Sequence, residues 1–107
     1  MTKLLNLKEF YNAVEEHEKV IIYWYTKWCP DCFISGTYLK RLEKDFTEYK
    51  FFKIDRDGFL ELAKHLEIYG IPSFLVFNDG DEIGRLVNKK RKTYLEVKTF
   101  IEGVISK

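Results

Sequence analysis

The residues from Val20 to Thr26 form the segment that most restricts the fold of this chain. All seven of them, V-I-I-Y-W-Y-T, are β-branched or aromatic, and no charged residue interrupts them. Such a run is typical of a strand that is covered on both faces, as the central strands of a partly parallel sheet are. Helices must then lie on both sides of the sheet, so the segment predicts an α/β fold.

Two helices are predicted around this strand. The first begins at Asn6, which forms a capping-box-like pair with Glu9, and runs toward Glu18. Its apolar face carries Leu7, Phe10 and Val14 at helical spacing. A second, amphipathic helix follows Cys32, and its apolar positions are Phe33, Ile34, Tyr38, Leu39, Leu42 and Phe46.

The second half of the chain predicts further elements in an alternating order. They are a strand at 50–55, a short helix at 60–66, a strand at 73–77, a hairpin turn at 78–80, a strand at 82–88 and a closing helix capped by Thr93 and Glu96. The hairpin makes the last two strands antiparallel. We therefore expect a single domain over residues 1–107, with a central mixed sheet in which two parallel crossovers precede an antiparallel hairpin and helices flank both faces.

Composition excludes several functions. With 46% hydrophobic residues in 107, the chain can bury one core without cross-links. Its 18 basic and 17 acidic side chains leave a net charge of +1, which predicts no binding to nucleic acid or to an anionic membrane. No apolar run approaches the roughly 20 residues of a membrane helix, and no secretory signal is recognisable, so we expect a cytoplasmic location.

Both cysteines of the chain lie in the sequence W-C-P-D-C, from Trp28 to Cys32, where the central strand ends. They could form a disulfide staple, half of a metal site, a reactive dithiol or two buried small hydrophobic residues. A staple is unnecessary for a core of this size, and a zinc site would need two more ligands, whereas His17 and His65 lie far away in sequence. A closely spaced pair in the cytoplasm is more often catalytic, so we predict a reactive dithiol without metal.

The position of the motif assigns different chemistry to its residues. Cys29 at a helix N-terminus would be the nucleophile, because free backbone N–H groups and the helix dipole favour its thiolate. Cys32, one turn further, would resolve the mixed disulfide, and Trp28 would shield the pair. Pro30 removes one N–H donor and fixes φ, and the carboxylate of Asp31 opposes the thiolate at Cys29. The lost N–H donor and the Asp31 carboxylate disfavour the Cys29 thiolate, whereas the helix dipole favours it.

These residues resemble the thioredoxin family over roughly residues 20–104. The resemblance rests on W-C-P-D-C at 28–32, Lys53-Ile54-Asp55 at a strand end, Gly70-Ile71-Pro72 before a strand and Asn78-Asp79-Gly80 in the hairpin. It implies the thioredoxin fold, with Pro72 as a cis-proline beside the cysteines. It also implies that the dithiol is the redox-active centre, working without a bound cofactor in electron transport and cell redox homeostasis.

The family's roles are carried over onto matching positions. Cys29 would attack the disulfide of a protein or small thiol substrate, and Cys32 would release the product. The backbone of Ile71 would bind the substrate chain as an added strand, and Trp28 and Pro72 would also belong to the substrate-binding site. Trp28, Pro30, Asp31 and Lys53 would support the reaction. Electrons would come from an external donor such as a thioredoxin reductase.

Two departures from the family concern the dithiol. Pro30-Asp31 replaces the common Gly-Pro pair and resembles a W-C-P-D-C subgroup with narrower substrates. Tyr23 occupies the position of the family's buried aspartate, the presumed proton acceptor for Cys32. A phenol with a pKa near 10 is a poor base at neutral pH, so Asp31, water or Lys53 with another group must assist Cys32, or its attack is slow.

Two further departures lie outside the motif. Thr37 aligns with the proline that bends the family's active-site helix, and a glycine that lines the substrate groove aligns near Asn88. The four successive cations Lys89, Lys90, Arg91 and Lys92 follow. They form either a solvated loop or a docking site for an acidic partner on the same side as the cysteines.

The sequence thus predicts a cytoplasmic thiol-disulfide reductase. The first alternative is a binding adaptor that kept the fold but not the redox reaction. The second is a metal-dependent protein, and the third is an oxidant or isomerase, which would have a less reducing dithiol.

Overall fold

The computed structural model of the protein describes residues 1–107. The strands are β1 (Thr2–Lys3), β2 (Lys19–Tyr25), β3 (Lys50–Asp55), β4 (Ser73–Asn78) and β5 (Asp81–Leu86). The helices are α1 (Leu7–Glu16), α2 (Pro30–Gly36), α3 (Leu39–Asp45), α4 (Leu60–His65) and α5 (Tyr94–Ile105), and a short 3-10 helix covers Arg56–Gly58. All predicted elements are present, whereas the two-residue β1 was not predicted.

The five strands form one mixed sheet in the order β1-β3-β2-β4-β5. β1 and β2 run parallel to β3, and β4 is antiparallel to both β2 and β5. The α/β fold class is confirmed, but the predicted parallel crossover from β3 to β4 is wrong. The second parallel crossover runs instead from β1 through α1 to β2.

The length of α4 explains the reversed direction of β4. A helix of six residues is about 9 Å long, whereas a six-residue strand such as β3 spans about 20 Å. α4 therefore cannot return the chain to the start of β3, and the chain enters β4 from the end of the sheet at which β3 finished. This brings the start of β4 to the edge of the sheet where β2 ends.

β2 is buried on both faces, as predicted. Val20, Ile22 and Trp24 pack into a cluster that also contains both cysteines. Ile21 and Tyr23 point to the other side and pack into a second cluster with residues of α3 and α5. A fully buried side chain of this size contributes about 1.5–3 kcal/mol, so packing holds the central strand.

One predicted amphipathic helix is divided in two. α2 ends at Gly36, and α3 begins at Leu39. At the junction the Thr37 hydroxyl donates to the Ile34 carbonyl at 2.7 Å, and the Thr37 N–H donates to the same oxygen. The break rotates α2 relative to α3, so Phe33, predicted to be buried, is 79% exposed, and Ile34 is exposed too.

The two predicted helix caps are present with one difference. The Asn6 side chain accepts from the Glu9 N–H, but the Glu9 carboxylate accepts from the Leu5 N–H and not from Asn6. Leu7 is exposed, contrary to the prediction, because the buried face of α1 consists of Phe10, Ala13 and Val14. Thr93 and Glu96 form the complete capping box of α5.

The hairpin between β4 and β5 turns at Asp79 and Gly80, whose φ angles are 52° and 85°. Both values lie in the left-handed region that asparagine, aspartate and glycine tolerate best. The antiparallel pairing that was predicted for the last two strands is confirmed. None of the helices is long and apolar enough to cross a bilayer.

Candidate active site

Cys29 lies between the end of β2 and the first turn of α2, as predicted. It is the N-cap residue of α2, with φ −84° and ψ 113°, and Pro30 occupies the first helical position. The Cys29 Sγ accepts a hydrogen bond from the Cys32 N–H at 3.2 Å. A sulfur that accepts from a helix N-terminus is stabilised as a thiolate, because an N–H donor and the positive end of the dipole face it.

Both cysteines are free thiols with little surface exposed, 8% for Cys29 and 5% for Cys32. Burial raises the pKa of Cys32 from its ordinary 9.0 to about 12, and the hydrogen bond with Cys29 adds to this rise. A backbone hydrogen bond from Thr26 acts in the opposite direction but does not compensate. Cys32 therefore holds its proton at neutral pH.

Tyr23 lies behind the active-site helix, where it bonds to the backbone of Cys32. Its hydroxyl is 2.5 Å from Ser35 Oγ and donates to the Cys32 carbonyl at 3.1 Å. The Ser35 hydroxyl lies 3.0 Å from the same carbonyl, so the two hydroxyl protons are shared among three contacts. Burial raises the pKa of Tyr23 above its ordinary 10, which makes this phenol still less able to accept a proton. The three groups form a closed, neutral hydrogen-bond cluster.

Lys53, a candidate partner in proton transfer, lies on β3 directly opposite Tyr23 in the sheet register. It is half-buried, and its ammonium group lies within ion-pair distance of no carboxylate. Asp55, two residues further along β3, accepts from the Asp57 N–H at the start of the 3-10 helix.

Trp28 and Asp31, on the two sides of Cys29, are both fixed by residues remote in sequence. The Trp28 indole is 65% exposed, and its N–H donates to an Asp57 carboxylate oxygen at 2.6 Å. The Asp31 carboxylate accepts from the Arg91 Nε at 2.9 Å, across 60 residues of chain. The basic segment, Lys89 to Lys92, was predicted to lie on the side of the cysteines, and this contact agrees with that prediction.

The segment before β4 reaches the same cluster. The Ile71–Pro72 peptide is cis, and Ile71 packs with both cysteines in one hydrophobic cluster. The N–H and carbonyl of Ile71 make no backbone hydrogen bond within the chain. A free donor and acceptor beside the thiols are what an added substrate strand would need.

Gly70 is in close contact with the basic segment. A Cβ at Gly70 would lie 2.3 Å from the carbonyl carbon and oxygen of Asn88 and 2.6 Å from the Lys89 nitrogen. Only glycine permits this approach of two backbones. The segment at 88–92 is thus held against the residue that precedes Ile71.

Lys92 is not a docking cation, which corrects the prediction for the fourth residue of the basic run. It is 1% exposed, and its ammonium donates to Asn88 O, Asn88 Oδ1 and Lys90 O at 2.7–3.2 Å. The Tyr38 hydroxyl donates to the Lys92 carbonyl at 2.8 Å. The periodicity of the sequence contains no signal for this, because Lys92 is buried by its own loop and by α3.

Three residues near the thiols were missed by sequence reasoning. Ser35 could have been found, because it lies one helical turn after Cys32. Thr26 is 2% exposed, and its hydroxyl has no hydrogen-bond partner within the protein. Tyr38 was assigned only to the core. No group of three or more His, Cys, Asp or Glu side chains comes close enough to hold a metal ion.

Comparison with known sequences gives consistent matches. A family model described as Thioredoxin matches residues 1–101. The chain is 33% identical over 87 residues to "Thioredoxin-3, mitochondrial" of Saccharomyces cerevisiae, which covers 81% of this chain and 68% of that protein. It is 30% identical over 80 residues to a thioredoxin of Mycoplasmoides gallisepticum, covering 75% of this chain and 80% of the relative.

Solved structures agree with the sequence matches. The crystal structure of mitochondrial thioredoxin 3 from Saccharomyces cerevisiae, in the oxidized form, superposes with a TM-score of 0.82 at 28% identity and covers 100% of this chain and 95% of that chain. Plasmodium falciparum thioredoxin superposes with a TM-score of 0.85 at 23% identity, over 96% and 98% of the two chains. Sequence and fold thus agree over most of the chain.

Proposed function

Because the chain belongs to the thioredoxin family of thiol-disulfide oxidoreductases, we propose that it acts as a reductant in which Cys29 attacks and Cys32 resolves. The observation that supports these roles best is the Cys29 Sγ at the start of α2, which accepts from the Cys32 N–H at 3.2 Å. This geometry favours a thiolate at Cys29. The family works through this dithiol, without a bound cofactor.

The proposed reaction proceeds in two exchanges. The Cys29 thiolate attacks one sulfur of the substrate disulfide, forms a mixed disulfide and expels the other substrate sulfur as a thiolate. Cys32 then loses its proton and attacks the Cys29 Sγ, which expels the second substrate thiolate and leaves a Cys29–Cys32 disulfide. The substrate has gained two electrons, and an external reductase returns two electrons to the protein.

We propose protein disulfides as the principal substrates. Four exposed apolar side chains lie in the motif or within two residues of it or of Ile71: Trp28, Phe33, Ile34 and Tyr69. Together with the free backbone groups of Ile71, they suit an extended peptide better than a small thiol. A chain similar to this one, at 27% identity and a TM-score of 0.82, comes from a study of thiol resolution in yeast mitochondrial 1-Cys peroxiredoxin via glutathione/thioredoxin systems.

Substitution of single cysteines tests the assigned roles. With Ellman's reagent, the Cys32→Ser variant should form one stable mixed disulfide through Cys29. The Cys29→Ser variant is the matched control and should react far more slowly, because the remaining thiol is buried and its pKa is raised. Equal reaction of the two variants, or no adduct with Cys32→Ser, would overturn the assignment.

The basic segment, Lys89 to Lys92, supports a proposal about the charge of the substrate protein. Lys89 and Lys90 are exposed and form no ion pair with a carboxylate, and the nearby Arg91 places them beside the active-site helix. We infer that they attract substrates with acidic residues near the disulfide. For an acidic peptide disulfide, Lys89→Glu/Lys90→Glu should lower kcat/KM and its salt dependence. The control Lys40→Glu/Lys44→Glu, on α3, should change neither.

An adaptor without redox activity is the second candidate, and the raised pKa of Cys32 favours it. The reduction potential of the dithiol separates the two. A value near about −270 mV supports the reductant, whereas about −180 mV indicates an oxidant or isomerase. Failure to form the disulfide at all would support the adaptor.

We also propose a cytoplasmic location, where thiol pools keep such a dithiol reduced. The yeast relative is named a mitochondrial protein, so the location needs its own test. A fluorescent tag on the C-terminus leaves the N-terminus free for any targeting receptor. A diffuse signal supports the proposal, and an organellar signal contradicts it.

A further inference from the structure

An arginine from the far end of the chain contacts the residue between the two cysteines. The Arg91 Nε donates to Asp31 Oδ1 at 2.9 Å. The Asp31 side chain is only 31% exposed, so this pair is screened less than a fully exposed one. Asp31 lies in the first turn of α2, two residues from Cys29, where an unbalanced negative charge opposes a thiolate.

The loop that carries Arg91 is fixed on both sides. Lys92, on its C-terminal side, is buried and holds three oxygens of the same loop. The Tyr38 hydroxyl ties Lys92 to the start of α3. On the N-terminal side, the Asn88 backbone is pressed against Gly70. Because the backbone that carries Arg91 is already fixed, the guanidinium loses little further conformational entropy when it pairs with Asp31. This favours the ion pair.

The neighbouring cations make no such contact. Lys89 and Lys90 are both exposed, and neither forms an ion pair with a carboxylate. Arg91 is therefore distinguished from them by geometry and not by charge. This gives a matched control, since replacing Lys89 by glutamine changes the net charge equally.

We propose that Arg91 is a positioning residue that neutralises Asp31 and thereby maintains the reactive thiolate of Cys29. The proposal rests on the role of Cys29 as the nucleophile. The other titratable groups that face the thiols are Tyr23 from β2 and Lys92 before α5. Asp57 is held by the Trp28 indole. Among these groups, only Asp31 forms an ion pair, and its partner is the exposed Arg91.

The test is the rate at which Cys29 reacts with iodoacetamide as a function of pH. It is measured on reduced protein in the Cys32→Ser background. In Arg91→Gln we expect the midpoint of the profile to move up by about 0.5 pH unit, which makes alkylation at neutral pH about threefold slower. Lys89→Gln should leave the profile nearly unchanged. Arg91→Lys should restore most of the rate, because an ammonium also neutralises Asp31.

A second set of variants tests whether Arg91 acts through Asp31. Asp31→Asn alone should speed alkylation, and in that background Arg91→Gln should have no more effect than Lys89→Gln. High salt should reduce the difference between the wild type and Arg91→Gln, because it screens the repulsion between Asp31 and the Cys29 thiolate. Equal effects of Arg91→Gln and Lys89→Gln, or a threefold effect that persists in Asp31→Asn, would overturn the proposal. Alkylation needs no disulfide substrate, so this result is independent of whether the protein is a reductant.

Discussion

The proton on Cys32 is expected to control how fast the enzyme releases its product. The pKa of Cys32 is raised from 9.0 to about 12, mainly by burial and then by the hydrogen bond with Cys29. A rise of this size lowers the thiolate fraction at neutral pH by about a thousandfold, equivalent to about 4 kcal/mol. In the mixed disulfide, Cys29 carries no charge and no thiol, so burial remains the main cause, together with the smaller effects of the Thr26 hydrogen bond and the Asp31 charge. The thiolate fraction then lies about ten- to a thousandfold below that of an ordinary thiol.

Release of a coloured thiol measures this step directly. Cys29 is loaded with thionitrobenzoate, and release of the coloured anion is followed by stopped flow from about pH 6 to about pH 10, a range around the ordinary pKa of a thiol. We expect the rate to rise about tenfold per pH unit through pH 9 without levelling off. A plateau below about pH 8.5 would refute the reasoning, because Cys32 would then ionise as an ordinary thiol.

Tyr23→Phe is the control that separates Tyr23 from this proton transfer. Burial raises the pKa of Tyr23, so the phenol does not serve as the acceptor, and the pH profile should be unchanged. The variant loses the contacts of the hydroxyl with Ser35 and with the Cys32 carbonyl and should be about 1–2 kcal/mol less stable. A profile that shifts along the pH axis would show that the hydroxyl takes part.

Two further predictions concern the loop beside the site. Lys92→Met should lower the free energy of unfolding by about 2 kcal/mol in chemical denaturation, since oxygens of Asn88 and Lys90 lose an ammonium donor. Burial lowers the pKa of Lys92, so the wild type gains stability as the pH rises toward 10.5. The difference in unfolding free energy between the wild type and Lys92→Met should therefore grow over that range. A difference that falls with rising pH would contradict this. Gly70→Ala should cost about 3 kcal/mol, because its methyl group would overlap the Asn88 carbonyl. Gly36→Ala, which meets no atom within 4 Å, should be neutral or stabilising by about 0.5–1 kcal/mol, and equal thermal midpoints for the two variants would contradict the close approach.

The dithiol was predictable because its geometry depends on neighbours in sequence. A covered strand before Cys29 and a helix start at Pro30 are both local patterns, and both are present in the structure. The capping box of Thr93 and Glu96 was predictable for the same reason. Local patterns failed where the answer depended on distant contacts. Lys92 is buried partly under Tyr38, 54 residues away, and nothing near Lys92 in the sequence distinguishes it from its exposed neighbours.

The break between α2 and α3 could be predicted only in part from the sequence. The apolar spacing continues across Thr37, so periodicity alone predicts one helix. The Thr37 hydroxyl bonds to the Ile34 carbonyl, which is the competition with helix geometry that threonine is known for. Periodicity does not show where the helix breaks, so Phe33 was predicted to be buried. In the structure it is exposed, directly after Cys32 in sequence.

The departures from the family have a common consequence for the chemistry. At the position where the resemblance to the family implies a buried carboxylate, Tyr23 has a hydroxyl that is used in bonds to Ser35 and the backbone of Cys32. The site behind Cys32 therefore holds no charge that could take up its proton. Among the charges near the thiols, the buried ammonium of Lys92 is held by its own loop, whereas Asp31 and Arg91 are partly exposed. The charges of Asp31 and Arg91 thus lie where salt and a charged substrate act on them, and a variant of Arg91 should change the rate of attack by Cys29.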